Sequence, residues 1–275
     1  MSPLLANAVA KFHCRASPQI NLQFAAPGVV VASFVTFDRT FDPSSPSKPE
    51  AMMAPEGQEM QSVLGVSHRY DKLSEVYAAN YTFHFIKFAG LKAGQRYQYK
   101  VRSGLPGGTW SATFVFRGPV SSEKAAPTRW AAYGDMGHSH YNCMDNVRQD
   151  CAAGKIDAVL HMGDHAYDMG NGGDRRGDAY MNAFQPAIAG CPWIPVIGNH
   201  ETNDGDNTER FLNMTFGEAG YQSLSSLRST ATTALGDFLT KTTLLGAGAH
   251  SGVPSNTSQY FAVSEAPTAV TRPPM

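Results

Sequence analysis

Two rhythms of apolar residues divide the chain. Between about residues 18 and 117 apolar and polar positions alternate in short runs, the period of half-buried strands. The alternation is strict over residues 95–102, where Tyr97, Tyr99 and Val101 face one way and Arg96, Gln98, Lys100 and Arg102 the other. Residues 29–37, 81–88 and 111–116, rich in β-branched and aromatic side chains, predict three further strands, with Gly90, Gly94, Gly104, Gly107 and Gly108 as turns between them. Such spacing predicts a small β-sandwich. Residues 43–61 carry Pro43, Pro46, Pro49 and Pro55 without periodicity and predict a surface loop, and residues 118–127 a linker.

From Arg129 the pattern becomes strand, helix, strand, helix, strand. Apolar runs at 130–133, 156–162 and 193–197 alternate with helical stretches at about 142–153, closed by Gly154, and about 178–188, closed near Pro186 and Gly190. That alternation predicts a largely parallel sheet. Residues 220–252 are dominated by Ser, Thr, Ala, Leu and Gly and predict no element; residues 259–263 predict one more strand. The expected fold class is thus α/β plus all-β, with one unit over residues 18–118 and another over 128–275.

Bulk properties sharpen this only a little. A 275-residue chain with 42% hydrophobic residues can bury the cores of two units. A net charge of −1 offers no electrostatic basis for nucleic acid or anionic lipid as a partner. No apolar run reaches the ~18 residues of a membrane span, and the short apolar run at residues 4–10 lacks the basic flank of a convincing signal peptide. Cys143 and Cys151 stand eight residues apart on one predicted helix, about 12 Å at ~1.5 Å per residue, too far to bridge each other. They read as buried small hydrophobes. Asn80, Asn213 and Asn256 head glycosylation tripeptides, a modest indication of a secretory route.

Chemistry concentrates in three motifs, each directly after an apolar run: Gly134-Asp135-Met136-Gly137, Gly163-Asp164-His165-Ala166-Tyr167-Asp168 and Gly198-Asn199-His200-Glu201. Three strands therefore deliver oxygen donors to one sheet edge, where open α/β sheets bind ligands. Two carboxylates and an amide there suit hard cations, and two cations suit phosphoryl chemistry. His138 and His140 read as solvated loop residues and His161 as packed behind the sheet. His165 carries no assignment, and residues 168–178 predict a mobile loop whose acidic spacing fits no calcium loop.

The three motifs resemble those of the calcineurin-like metallophosphoesterases. The resemblance implies that Asp135 ligates one metal, Asp164 bridges two, Asn199 ligates the second, and His200 stabilises or protonates the departing group. Many members carry Asp-x-His in the first motif, where this chain has Gly137; here Tyr167 follows Asp164 by three residues. Exchanging that histidine for a tyrosine is similar to the purple acid phosphatases, which hold Fe(III) partly through tyrosinate. The Ser/Thr protein phosphatases fit less well, since Tyr167 and Asp168 stand where their second motif has Asp and Arg. Residues 91–104 with 110–116 are similar to the fibronectin-III-like domain that precedes the catalytic domain in larger purple acid phosphatases.

The resemblance implies a fibronectin-III-like β-sandwich followed by an incomplete metallophosphoesterase α/β sandwich. It implies an acid phosphatase acting on small phosphate monoesters at an Fe(III) paired with Zn, Fe or Mn, in a secreted or lysosome- or vacuole-like compartment. A phosphodiesterase of the same superfamily and a non-catalytic binding module are the alternatives. The family completes its site with later Val-x-x-His and Gly-His-x-His motifs. After His200 this chain has only His250, in neither pattern. It therefore resembles the amino-terminal two-thirds of such an enzyme, and residues 1–275 by themselves are expected to be poorly soluble and to show negligible phosphatase activity, whereas about 18–118 are expected to fold alone.

Overall fold

The computed structural model describes residues 18–26, 28–37, 48–73, 78–104, 108–118, 129–137, 143–202, 210–211, 214–215 and 261–264. In chain order the elements are β1 (Asn21–Ala26), β2 (Val29–Thr36), β3 (Glu50–Pro55), β4 (Gln61–Leu64), β5 (Val66–Leu73), β6 (Ala78–Phe88), β7 (Arg96–Arg102) and β8 (Phe114–Arg117). They continue with β9 (Arg129–Tyr133), α1 (Met144–Ala152), β10 (Ala158–Met162), α2 (Arg175–Ile188), β11 (Trp193–Val196) and β12 (Phe261–Ser264). The strands form one sheet ordered β12-β9-β10-β11-β1-β2-β6-β5 and a second ordered β4-β3-β7-β8.

The larger sheet crosses the expected boundary near residue 118. β9, β10 and β11 pair in parallel, and β1 joins β11 in parallel with Gln23 opposite Trp193. The two expected units therefore share hydrogen bonds as well as a linker. This explains β2, whose interior residues are buried on both faces. Val31 and Val35 enter one apolar cluster with Val147 and Phe184 of the helices; Val30, Ala32 and Phe34 enter another with Tyr97, Tyr99 and Phe116. The molecule is layered: helices, the large sheet, then the small sheet.

The alternation in β7 reads as expected, with Tyr97, Tyr99 and Val101 buried. The loop expected over 43–61 is corrected, because residues 50–55 form β3 and pair with both β4 and β7. Small alanines hid this strand: Ala51 and Ala54 are buried with little side chain to signal it. Across it Arg102 meets Glu50 at 2.6 Å. Such partly exposed pairs contribute about 0–1 kcal/mol, less than the ~1.5–3 kcal/mol of one buried Val or Phe, so packing decides the strand. Residues 43–47 lie outside the described residues, as do 220–252, His138, His140, Asn213, His250 and Asn256. β12 covers most of the strand expected at 259–263 and runs antiparallel to β9.

Helix α1 ends as predicted, with Gly154 at φ +63° beyond its C-cap Ala153. Helix α2 begins three residues earlier than the pattern indicates, at Arg175, directly after a turn in which Gly172, Gly173 and Asp174 all have positive φ. Arg176 within its first turn donates to the Tyr167 carbonyl, and Gly177 N–H to Met169 O at 3.0 Å. The segment expected as a mobile loop is therefore tied to a helix. Polar contacts also bind the halves together. Ile20 N–H donates to Gln185 Oε1 at 2.8 Å, and fully buried Arg210 reaches Gln19 Oε1 at 3.0 Å and Asp178 Oδ1 at 3.1 Å.

The Tyr99 hydroxyl, buried in the sandwich, donates to the Ala189 carbonyl beyond α2 at 2.8 Å. Tyr99→Phe leaves that buried carbonyl without its donor and should cost about 1–2 kcal/mol. Urea unfolding followed by circular dichroism and by tryptophan fluorescence should show one coincident transition at a lower midpoint. Two separated transitions, with only one of them shifted, would contradict a core shared across the sheet.

Candidate functional site

The parallel arrangement of β9, β10 and β11 brings all three motifs to one edge, beyond the strands' carboxyl ends. Close approach there demands glycine. A Cβ on Gly163 would lie 2.5 Å from the Gly198 Cα, and one on Gly198 only 2.3 Å from Asp164 Oδ1. The residues that follow are turned sharply. Asp135, Asp164, Tyr167 and Asp168 have φ of 53°, 50°, 53° and 73°. Aspartate tolerates this left-handed region; a bulky tyrosine there is uncommon and must be held by its surroundings.

The holding group is Glu201, only 1% exposed. Its carboxylate accepts the backbone N–H of Asp164 at 2.8 Å, of His165 at 2.9 Å and of Gly198 at 2.9 Å. It thereby clamps the second motif to the third, with the buried His165 imidazole 3.2 Å away. Burial alone would raise this carboxyl, but His165 and the donated backbone hydrogens prevail and bring it down to about 2. A depressed carboxylate stabilises the fold fully above its unfolded value of about 4.5 and loses that contribution as pH falls toward 2. Asp164 completes the clamp by accepting the His200 N–H at 3.0 Å.

Within this frame the side chains expected from the motifs meet. The Tyr167 hydroxyl donates to Asp135 Oδ1 at 2.7 Å, and its ring stands edge-on to His200 with centroids 4.6 Å apart. Gly137, at φ +63°, borders that ring: a Cβ there would stand in ordinary contact with Tyr167 Cδ2, 3.5 Å away. A side chain at 137 would be strained by the backbone and would project toward the ring. The backbone at 137, rather than the space beside the ring, therefore favours glycine.

His200 Nδ1 lies 2.9 Å from Asp168 Oδ1. That hydrogen bond, with the charges of Asp164, Asp168 and Glu201, raises His200 above its ordinary pKa despite some desolvation. Since the carboxylate accepts, Nδ1 carries the hydrogen and Nε2 is left to act. Asn199 is exposed on the same turn, its carbonyl accepting from Thr202 N–H at 3.0 Å. His161 packs under the sheet as expected, fully buried with Nδ1 2.8 Å from the Tyr180 hydroxyl.

Sequence reasoning therefore named Asp135, Asp164, Tyr167, Asn199 and His200, and missed Asp168 and Glu201. Both had a signal: each sits directly beside a named residue inside its own motif.

The donors suit a hard cation: two carboxylates, a phenol and an amide. Burial first, then the Asp135 hydrogen bond and the charges of Asp135 and Asp164, push the Tyr167 phenol up to about 12. A strongly acidic cation between the same groups would reverse that sign, replacing the phenolic proton. Among the described residues no three His, Cys, Asp or Glu side chains gather as a metal cluster.

Residues 128–259 match the calcineurin-like phosphoesterase family. The chain is 36% identical over 118 residues to acid phosphatase type 7 of Mus musculus, covering 43% of this chain and 26% of the relative. It is 38% identical over 104 residues to the Homo sapiens protein of the same name, covering 38% and 23%. The Fe(3+)-Zn(2+) purple acid phosphatase 12 of Arabidopsis thaliana is 29% identical over 127 residues, covering 46% of this chain and 26% of that protein. The matches thus span about a quarter of each relative's length. Among solved structures, the purple acid phosphatase PPD1 of yellow lupin (Lupinus luteus) seeds superposes with a TM-score of 0.57 at 19% identity, over 66% of this chain and 35% of that one. That coverage exceeds the share occupied by residues 128–259, so the likeness in fold extends beyond the matched domain. Residues 128–259 thus match the calcineurin-like phosphoesterase family, and the chain is similar in sequence to acid and purple acid phosphatases over part of its length.

Proposed function

We propose that this chain carries the site of an acid phosphatase that hydrolyses small phosphate monoesters with Fe(III) and a second metal, Zn, Fe or Mn. Residues 18–118 would serve as a fibronectin-III-like platform and 128–275 as the catalytic unit, in a secreted or lysosome- or vacuole-like compartment. The observation that carries the reading is the hydrogen bond from Tyr167 to Asp135 at the edge where Asp164 and Asn199 also arrive. Asp135, Asp164, Tyr167 and Asn199 would hold the metals, Asp164 between them. Bound there, the metals would supply Lewis acidity and lower the pKa of water.

The protein's own part is placement and proton control. Glu201 and the motif glycines keep the donors converged without substrate, so little reorganisation remains at the moment of reaction. His200, held by Asp168 through Nδ1, presents Nε2 toward the phosphate. It neutralises charge growing on the phosphoryl oxygens or protonates the departing alkoxide. Its raised pKa keeps it charged past the ordinary 6.5, which suits an acid's role at mildly acidic pH. No helix among the described residues is long and apolar enough to cross a membrane.

Two outcomes test this in the full-length protein. Tyr167 should produce a visible charge-transfer band with bound iron, and Tyr167→Phe should abolish it while far-UV circular dichroism is unchanged. A colourless wild type that keeps its rate of p-nitrophenyl phosphate hydrolysis after Tyr167→Phe would remove the purple branch. Separately, Asp168→Asn should lower the His200 pKa. The alkaline limb of the pH–rate profile should then move to lower pH, with kcat down about 10–100-fold. An unmoved alkaline limb would show that His200 is not the group titrating there.

A further inference from the structure

A column of buried rings lies under the site and serves no step of the proposed chemistry. It starts on α2, where the Tyr180 hydroxyl lies 2.8 Å from Nδ1 of His161 on β10. The His161 ring stands against that of His165, their centroids 4.0 Å apart. His165 Nδ1 is then 3.2 Å from Glu201 Oε1, the carboxylate that accepts the backbone N–H groups of Asp164, His165 and Gly198. Tyr180, His161 and His165 are fully buried and Glu201 nearly so. Among the described residues neither His165 nitrogen makes a well-aligned hydrogen bond, although Nδ1 is close to Glu201. Packing therefore sets the place of that ring. Phe211 and Trp193 contribute at 5.2 and 5.6 Å between centroids, while His161 stands closer than either. Burial, and then the charge of His165, hold His161 well below the ordinary imidazole pKa, and burial raises the Tyr180 phenol. Both partners of the hydrogen bond at the foot of the column are thus neutral.

We propose that His161 is a positioning residue for the phosphatase site, acting through His165 on the Glu201 clamp. The inference rests on the reading of that edge as a phosphatase metal site and adds the support beneath it. Tyr180 fixes the His161 ring, His161 backs the His165 ring, and His165 keeps the Glu201 carboxylate turned toward its three backbone donors. Loss of the column lets His165 and then Glu201 shift, which loosens the loops carrying Asp164 and Asn199 while every candidate ligand is still present. A residue that only fills the core would lower stability and leave those loops as they are.

Two arms in the full-length protein separate these cases. In metal-free protein, hydrogen–deuterium exchange of peptides spanning residues 163–166 and 197–200 should quicken about tenfold in His161→Ala, relative to peptides of β7 in the same sample. Tyr180→Phe keeps both rings and removes only the hydrogen bond, and should quicken the same peptides by a smaller factor, about threefold. Val147→Ala, which opens a cavity in the same apolar cluster, should lower Tm without that local change. In iron-loaded protein, His161→Ala and Tyr180→Phe should each shift the visible band, and His161→Ala should lower kcat about tenfold with KM little changed. Exchange at the site that stays level with β7 in both variants would overturn the proposal, as would the same local quickening in Val147→Ala. So would an unmoved band and an unchanged kcat in both variants. A wild type without an iron band counts against the metal site, whereas the exchange arm needs no metal and decides the clamp by itself.

Discussion

A single buried carboxylate organises the edge on which everything functional depends. Glu201 takes three backbone N–H groups from two different loops, those following β10 and β11. Each of those donors, left without a partner, would cost about 1–3 kcal/mol, comparable in sum to much of a domain's net ~5–15 kcal/mol. The strained turns at Asp164, Tyr167 and Asp168 persist because this clamp, the Asp164 bond to His200 N–H and the Arg176 bond to Tyr167 O fix them from three sides. Because His165 and the backbone hold Glu201 ionised down to about pH 2, the clamp survives mildly acidic conditions.

The rest of the fold serves to keep that edge rigid. β9, β10 and β11 carry the motifs, while β1 and β2 extend the same sheet and bury apolar residues on both sides. Buried polar groups along this seam are paired. The Trp193 indole donates to Asn21 Oδ1 at 3.2 Å, and Gln23 donates to Asn21 Oδ1 at 2.7 Å and to Met214 O at 3.0 Å.

Much of this was legible in the sequence because the signals were local. Strict alternation gave β7, strand–helix periodicity gave β9 to β11, and the motif order gave the sheet edge with Asp135, Asp164, Tyr167, Asn199 and His200. What escaped was non-local. β3 has small alanines whose burial is set by β4 and β7, and the pairing of β1 with β11 joins residues 170 positions apart in register, Gln23 with Trp193. Glu201 and Asp168 escaped for another reason. Carboxylates beside candidate ligands read as more of the same, and only geometry separates one that binds backbone from one that orients an imidazole.

The central claim is that these three loops form one metal centre. Anomalous diffraction at the iron edge, from crystals of the full-length protein grown with iron, tests it most directly. The account predicts a peak bounded by the side chains of Asp135, Asp164, Tyr167 and Asn199. Iron found elsewhere, with the Tyr167 hydroxyl still donating to Asp135, would contradict it.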